Sequence, residues 1–250
     1  MTSDNRPRVV STGVDQDPQT EGRRVQRIAG RSAGFFLIAQ FVLMWVTFFV
    51  LSTSINWPAS LDDPASIALP RLLDRYGSVM TGYSLYLLVA LLLVPATAAL
   101  NRRFGLTGAL GQTALALAII SAMAKAIGIT RWLFAMPVLA QAYASGANRA
   151  TIELLFTTLI AYAGGVGEIL GVALITGLWT ALIGVVVMRS RGRTATIAGG
   201  FAVAMGLSLW LAIPAGFGVE VGPVLKVSNI GWQFSLVAIA PVALKTPVRA

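Results

Sequence analysis

Six long apolar segments, joined by loops that gather Lys and Arg on alternate sides, constrain this chain more than any other feature. A helix needs about 20 apolar residues to cross roughly 30 Å of hydrocarbon. Runs of that kind lie near 33–54, 78–100, 106–130, 166–188 and 195–214, with a shorter one at 229–244. In lipid, every backbone polar group must be satisfied within the protein, so uninterrupted apolar runs of this length read as helices. The expectation is an all-α integral membrane bundle of six transmembrane helices. It forms a single membrane domain over residues 31–246 behind a basic tail of residues 1–30.

Charge supports this reading and gives the bundle a direction. Charged residues are 12% of the chain, where a soluble domain carries about 25%. The formal charge of +9 would suggest a nucleic-acid partner in a soluble protein. Here the positions decide otherwise. With the N-terminus in the cytoplasm, the inner segments hold Arg6, Arg8, Arg23, Arg24, Arg27, Arg31, Arg102, Arg103, Arg189, Arg191, Arg193, Lys245 and Arg249. Only Asp4, Asp15, Asp17 and Glu21 oppose them, so the inner face carries the whole excess and the remainder is neutral. Orientation follows Lys and Arg in short loops. Both termini are therefore expected in the cytoplasm of a bacterial inner membrane, with anionic lipid headgroups as partners and no nucleic acid.

The apolar run after Arg31 is about 22 residues, longer than the 7–15 of a cleaved leader, and reads as a span that directs its own insertion. The polar first 22 residues read as a disordered tail. The absence of Cys and His excludes disulfides, thiolate chemistry, His-based acid–base catalysis and the commonest metal ligands. No metal or cofactor is expected.

The segment from Arg131 to Gly165 fits least well. Residues 150–164 are apolar but few for a crossing, and they contain Glu153. A seventh crossing there would move Arg189, Arg191, Arg193, Lys245 and Arg249 outside, against the positive-inside bias. Residues 150–164 are thus expected as an outer-side half-helix or interfacial helix, broken from the fourth span at Gly164-Gly165. A second short interfacial helix is expected over Ser66–Tyr76. Trp57, Tyr76, Tyr83, Trp132, Tyr162, Trp210 and Trp232 all fall at expected outer ends, where amphipathic rings favour the interface.

Ionisable residues within a membrane span are costly and mark candidate sites. Lys125 in the third span and Glu168 in the first turn of the fourth qualify, and their similar depth leaves a pair between them open. Gly167 and Gly171 form a G-x-x-x-G pattern that permits close helix approach. Ser121, Lys125, Gly128 and Trp132 share one stripe of the third span. The expected outer-side ligand site comprises Lys125, Arg131, Trp132, Glu153, Tyr162 and Glu168. Three functions follow from it: binding of a small lipophilic or lipid-like ligand, acid–base catalysis of the cyclase or isomerase type by Glu168 and Glu153 with Lys125 beside them, or proton-coupled transport through Glu168. A plain packing role for a Lys125–Glu168 pair is the alternative to all three.

The stretch Tyr162-Ala163-Gly164-Gly165-Val166-Gly167-Glu168, followed by Leu170-Gly171 and Trp179-Thr180, resembles a bacterial membrane family catalogued as domain of unknown function 4386. Arg131-Trp132 and Pro137 fit the same resemblance, which extends over roughly residues 25–245. It implies a multi-span bundle and no established reaction. Ile169 stands where that family often carries His, which removes any His-dependent activity from the expectation.

Overall fold

The computed structural model describes residues 18–190, 192–217, 219 and 222–245. Among these the chain is helical almost throughout: α1 (Pro18–Ile55), α2 (Ala65–Asp74), α3 (Tyr76–Phe104), α4 (Gly108–Ala144), α5 (Arg149–Met188), α6 (Arg193–Leu209, tightening into a 3₁₀ turn over Trp210–Phe217) and α7 (Gly222–Lys245). All but α2 are long and apolar enough to span a membrane, which gives six spans.

The spans form a ring in chain order. α1 packs on α3 and α7, α3 on α4, α4 on the middle of α5, the second half of α5 on α6, and α6 on α7. An up-and-down order with short turns makes sequence neighbours into antiparallel spatial neighbours. Arg103 closes the ring at the end bearing the termini, hereafter the proximal end. Its buried Nε donates to the Ala243 carbonyl at 2.7 Å, satisfying a backbone group in the last turn of α7. Arg24, Arg27, Arg31, Arg102, Arg189, Arg193 and Lys245 cluster at the same end.

Small residues set the spacing between α5 and α6. A Cβ added at Gly199 would fall 2.5 Å from the Gly184 carbonyl and 2.6 Å from the Met188 nitrogen, and one at Gly177 would fall 2.6 Å from the Gly206 carbonyl. Without a hydrophobic drive between helices in lipid, close backbone packing of this kind is what holds them.

The structure corrects four expectations. α1 begins at Pro18, so residues 18–30 are helical rather than tail; residues 1–17 lie outside the described ones, as do Arg191, Glu220 and Arg249. The expected break at Gly164-Gly165 is absent. α5 runs unbroken for 40 residues, passing from α-helix through a π-helical stretch, Gly165–Thr176, and back. Gly164 serves packing there: a Cβ on it would lie 3.0 Å from Arg131. α4 likewise continues past the expected end at 130, through a π turn at Arg131–Ala135, to Ala144. At 1.5 Å per residue, α4 and α5 are about 55 and 60 Å long, roughly twice the hydrocarbon thickness. The fourth correction concerns Tyr83, Trp132 and Trp232, which are buried in the bundle rather than set at an interface.

The extra length of α4 and α5 forms a helical hairpin at the distal end. Its turn, Ser145–Asn148, ends in an N-cap where Asn148 Oδ1 accepts from Thr151 N–H at 3.2 Å. α2, the expected interfacial helix, packs its Ala65, Ala68, Leu69 and Leu72 face under this hairpin, in a cluster with Met136, Ile152 and Phe156. The salt bridge from Arg71 Nη1 to Asp63 Oδ2 (2.6 Å) holds the α1–α2 connection, and the same nitrogen reaches the Ile55 carbonyl at 3.3 Å.

Two adjacent glycines test the packing account. Gly199→Ala should destabilise the bundle by about 1–3 kcal/mol through overpacking. Gly200→Ala, with nothing within 4 Å of the added carbon, should be neutral or slightly stabilising. Thermal unfolding of the two variants in one detergent separates them.

Candidate functional site

α4 and the middle of α5 meet along a seam of small residues. A Cβ on Gly128 would come within 2.9 Å of the Gly167 Cα, and a Cβ on Gly171 within 3.1 Å of the Ala124 Cβ. Backbones this close fix the register, placing Lys125 level with Gly171 and Arg131 level with Gly164. Glu168 stands just off the seam, toward Arg131.

Arg131 is nine-tenths buried. Its Nη1 donates to the Ile160 carbonyl at 3.0 Å, and its guanidinium carbon lies 5.9 Å from the centroid of the Trp132 ring. Its Nη2 is 3.9 Å from Glu168 Oε1, an ion pair looser than a charge-assisted hydrogen bond of about 2.7–2.9 Å. The Glu168 side chain keeps 55% of its surface exposed. The carboxylate is also within Coulombic range of Tyr83, Tyr86 and Asp62. Tyr83 stacks on Trp132 with ring centroids 5.1 Å apart and planes 3° from parallel, and Tyr86 meets Trp57 edge to face at 5.8 Å. The result, called the cleft below, sets one accessible carboxylate beside one buried guanidinium on the side of α5 toward α3, near Tyr86 and Trp57, which are partly exposed, and Tyr83 and Trp132, which are buried against each other. Both ionic residues lie on π-helical stretches, a form that recurs at functional sites because its wider turn re-aims side chains.

The cleft lies at the edge of the hydrocarbon. Twenty residues separate Glu168 from Met188 at the proximal end, about 30 Å at 1.5 Å per residue, which equals the hydrocarbon thickness. A charged pair at that level avoids most of the cost of burial in lipid.

The other expected site residues go elsewhere. Lys125 does not pair with Glu168. Six residues put it about 120° around α4 from Arg131, and its Nζ lies 5.0 Å from the Trp232 ring centroid on α7. Glu153 sits at the hairpin tip, where its Oε1 accepts from the Tyr143 hydroxyl at 3.4 Å, with Arg149 over the Tyr143 ring at 5.0 Å. It precedes Glu168 by 15 residues on one helix, about 22 Å. Paired catalytic carboxylates act at about 5–10 Å, so these two do not share a substrate. Tyr162 is exposed on the hairpin. The sequence reading missed Tyr86 and Trp57 as lining residues and took Tyr83 only as an interfacial ring. The i, i+3 spacing of Tyr83 and Tyr86 was the available signal.

The fold and this cleft define a six-span helical membrane protein with an accessible ion pair at one hydrocarbon boundary. Residues 32–243 match the model of the family described as Domain of unknown function (DUF4386), and the chain belongs to that family. No match was found among curated proteins or among solved structures.

The cleft's two charges differ in what they support. Arg131→Met should lower stability by about 1.5–3 kcal/mol, because it orphans the Ile160 carbonyl and removes a buried charged donor. Glu168→Gln, at a half-exposed position, should cost less than 1 kcal/mol by the usual worth of exposed pairs. Denaturation midpoints of the purified variants check the order.

Proposed function

We propose that this protein binds an amphipathic, lipid-like molecule, its polar head in the cleft at Arg131 and Glu168 and its tail in the membrane. The observation that carries this reading is the Glu168 carboxylate, half exposed beside a buried guanidinium that it approaches only to 3.9 Å. A pair kept only for packing gains most by closing to hydrogen-bond distance and excluding solvent. This one stays open, at the depth where lipid headgroups meet acyl chains. Tyr86 and Trp57, both partly exposed, offer aromatic surface to the upper part of an apolar stem, while Tyr83 and Trp132 are buried against each other.

The reading takes both termini as cytoplasmic in a bacterial inner membrane, with the cleft and hairpin on the outer side. The proximal cluster of Arg and Lys supports that orientation, and anionic headgroups are its natural partners.

Native mass spectrometry of gently extracted protein tests the ligand. The unaltered protein should carry a discrete co-purified mass, and Glu168→Gln should reduce its occupancy severalfold. Ligand-free spectra from both would overturn the proposal. Orientation is checked separately, since the chain has no native Cys. Ser145→Cys at the hairpin turn should react with an impermeant maleimide on intact cells, and Ser190→Cys only after the membrane is opened. The reverse pattern would place the cleft in the cytoplasm.

A further inference from the structure

Lys125 lies outside the cleft, and nothing derived so far uses it. The residue is 5% exposed, with its Nζ over the face of Trp232. That ring is fixed from behind. Trp232 Nε1 donates to Thr180 Oγ1 at 2.8 Å, and Thr180 Oγ1 donates to the Thr176 carbonyl at 2.7 Å. One turn below Lys125, the Ser121 and Thr176 hydroxyls lie 2.7 Å apart, and both reach the Gly171 carbonyl. A lysine near a membrane boundary ordinarily snorkels toward the headgroups. This one is aimed inward instead.

Among the described residues no acidic group balances it. Among the described residues no hydrogen bond or ion pair reaches Nζ, and no charged side chain is in Coulombic range. A ring face returns on the order of 0.5–2 kcal/mol, far less than an isolated ammonium costs in hydrocarbon.

We infer that Lys125 anchors the headgroup of a lipophilic carboxylate, with the anionic oxygens paired to Nζ above the Trp232 ring. One cation matches one negative charge. A phosphate monoester would bring a second charge with no second cation to meet it. Depth selects the rest of the molecule: Lys125 lies about 9 Å deeper along α4 than Arg131, so its ligand must partition into hydrocarbon. The site is independent of the Glu168 cleft, since it faces α7 rather than α3.

Quenching of tryptophan fluorescence in lipid nanodiscs by dibromostearic acid, set against its methyl ester, tests the assignment. The acid should quench a saturable component that the ester does not. Lys125→Met should weaken that component at least about tenfold, the loss of one charge-assisted contact, while Lys125→Arg should retain it. Trp232→Phe should remove it, and Glu153→Gln, at the hairpin tip, should leave it unchanged. Equal quenching by acid and ester in the unaltered protein would overturn the assignment, and this comparison decides it even if Lys125→Met fails to fold. Loss of the saturable component in Glu168→Gln but not in Lys125→Met would also overturn it, by placing the acid in the cleft.

Discussion

The arrangement of this protein depends on backbone contact between α4 and α5 at Gly128 and Gly167. Neither helix could carry a side chain at that crossing without moving the other, because an added carbon at either position meets backbone atoms at about 3 Å. Lipid tails are as apolar as leucine, so such contact, with its dispersion and backbone polarity, is what selects one register over another. Once Gly128 faces Gly167, the neighbours have no choice. Arg131 lies in the space that Gly164 leaves, Gly171 lies against Lys125, and Glu168 is turned off the seam toward α3.

That register divides the polar groups into two environments of different depth. At the hydrocarbon boundary, Arg131 and Glu168 can be ionised at modest cost, because water and headgroups are within reach. Deeper in the bundle, Lys125 meets an indole face, and the hydroxyls of Ser121 and Thr176 one turn away are engaged with each other and with the Gly171 carbonyl. The π-helical stretches contribute to the same division. In the second, the Gly171 carbonyl accepts from Ser121 across the seam and from Thr176 five residues on, so the irregular backbone is paired rather than orphaned. Non-helical backbone at membrane depth persists only where it is satisfied in this way.

Much of the fold was legible in the sequence because the bilayer imposes a length and the loops carry the charge. The six spans and the short helix after the first loop follow from hydropathy alone. The continuity of α5 was not legible. Gly164-Gly165 next to a short apolar run reads as a break when only local propensity is weighed, whereas both glycines sit in a continuous helix and Gly164 makes room for a guanidinium on α4. Pair identities were hidden for a related reason. Lys125 and Glu168 share a depth, but depth says nothing of azimuth, and azimuth is set by a crossing that only the tertiary structure reveals. Trp232 misled in the same way: as a lone tryptophan in the first half of an apolar run, it resembles an interfacial anchor until its N–H is seen to engage Thr180.

The register of α4 against α5 is therefore the most direct thing to measure, and the chain's lack of cysteine makes it accessible. Ala124→Cys with Gly171→Cys, in a chain carrying a protease site in the exposed Ser145–Asn148 turn, should form a disulfide on mild oxidation. The account predicts that the two cleaved halves stay joined on a non-reducing gel, while the pair Ala124→Cys with Gly164→Cys, two turns out of register, comes apart. Separation of the first pair together with joining of the second would contradict it.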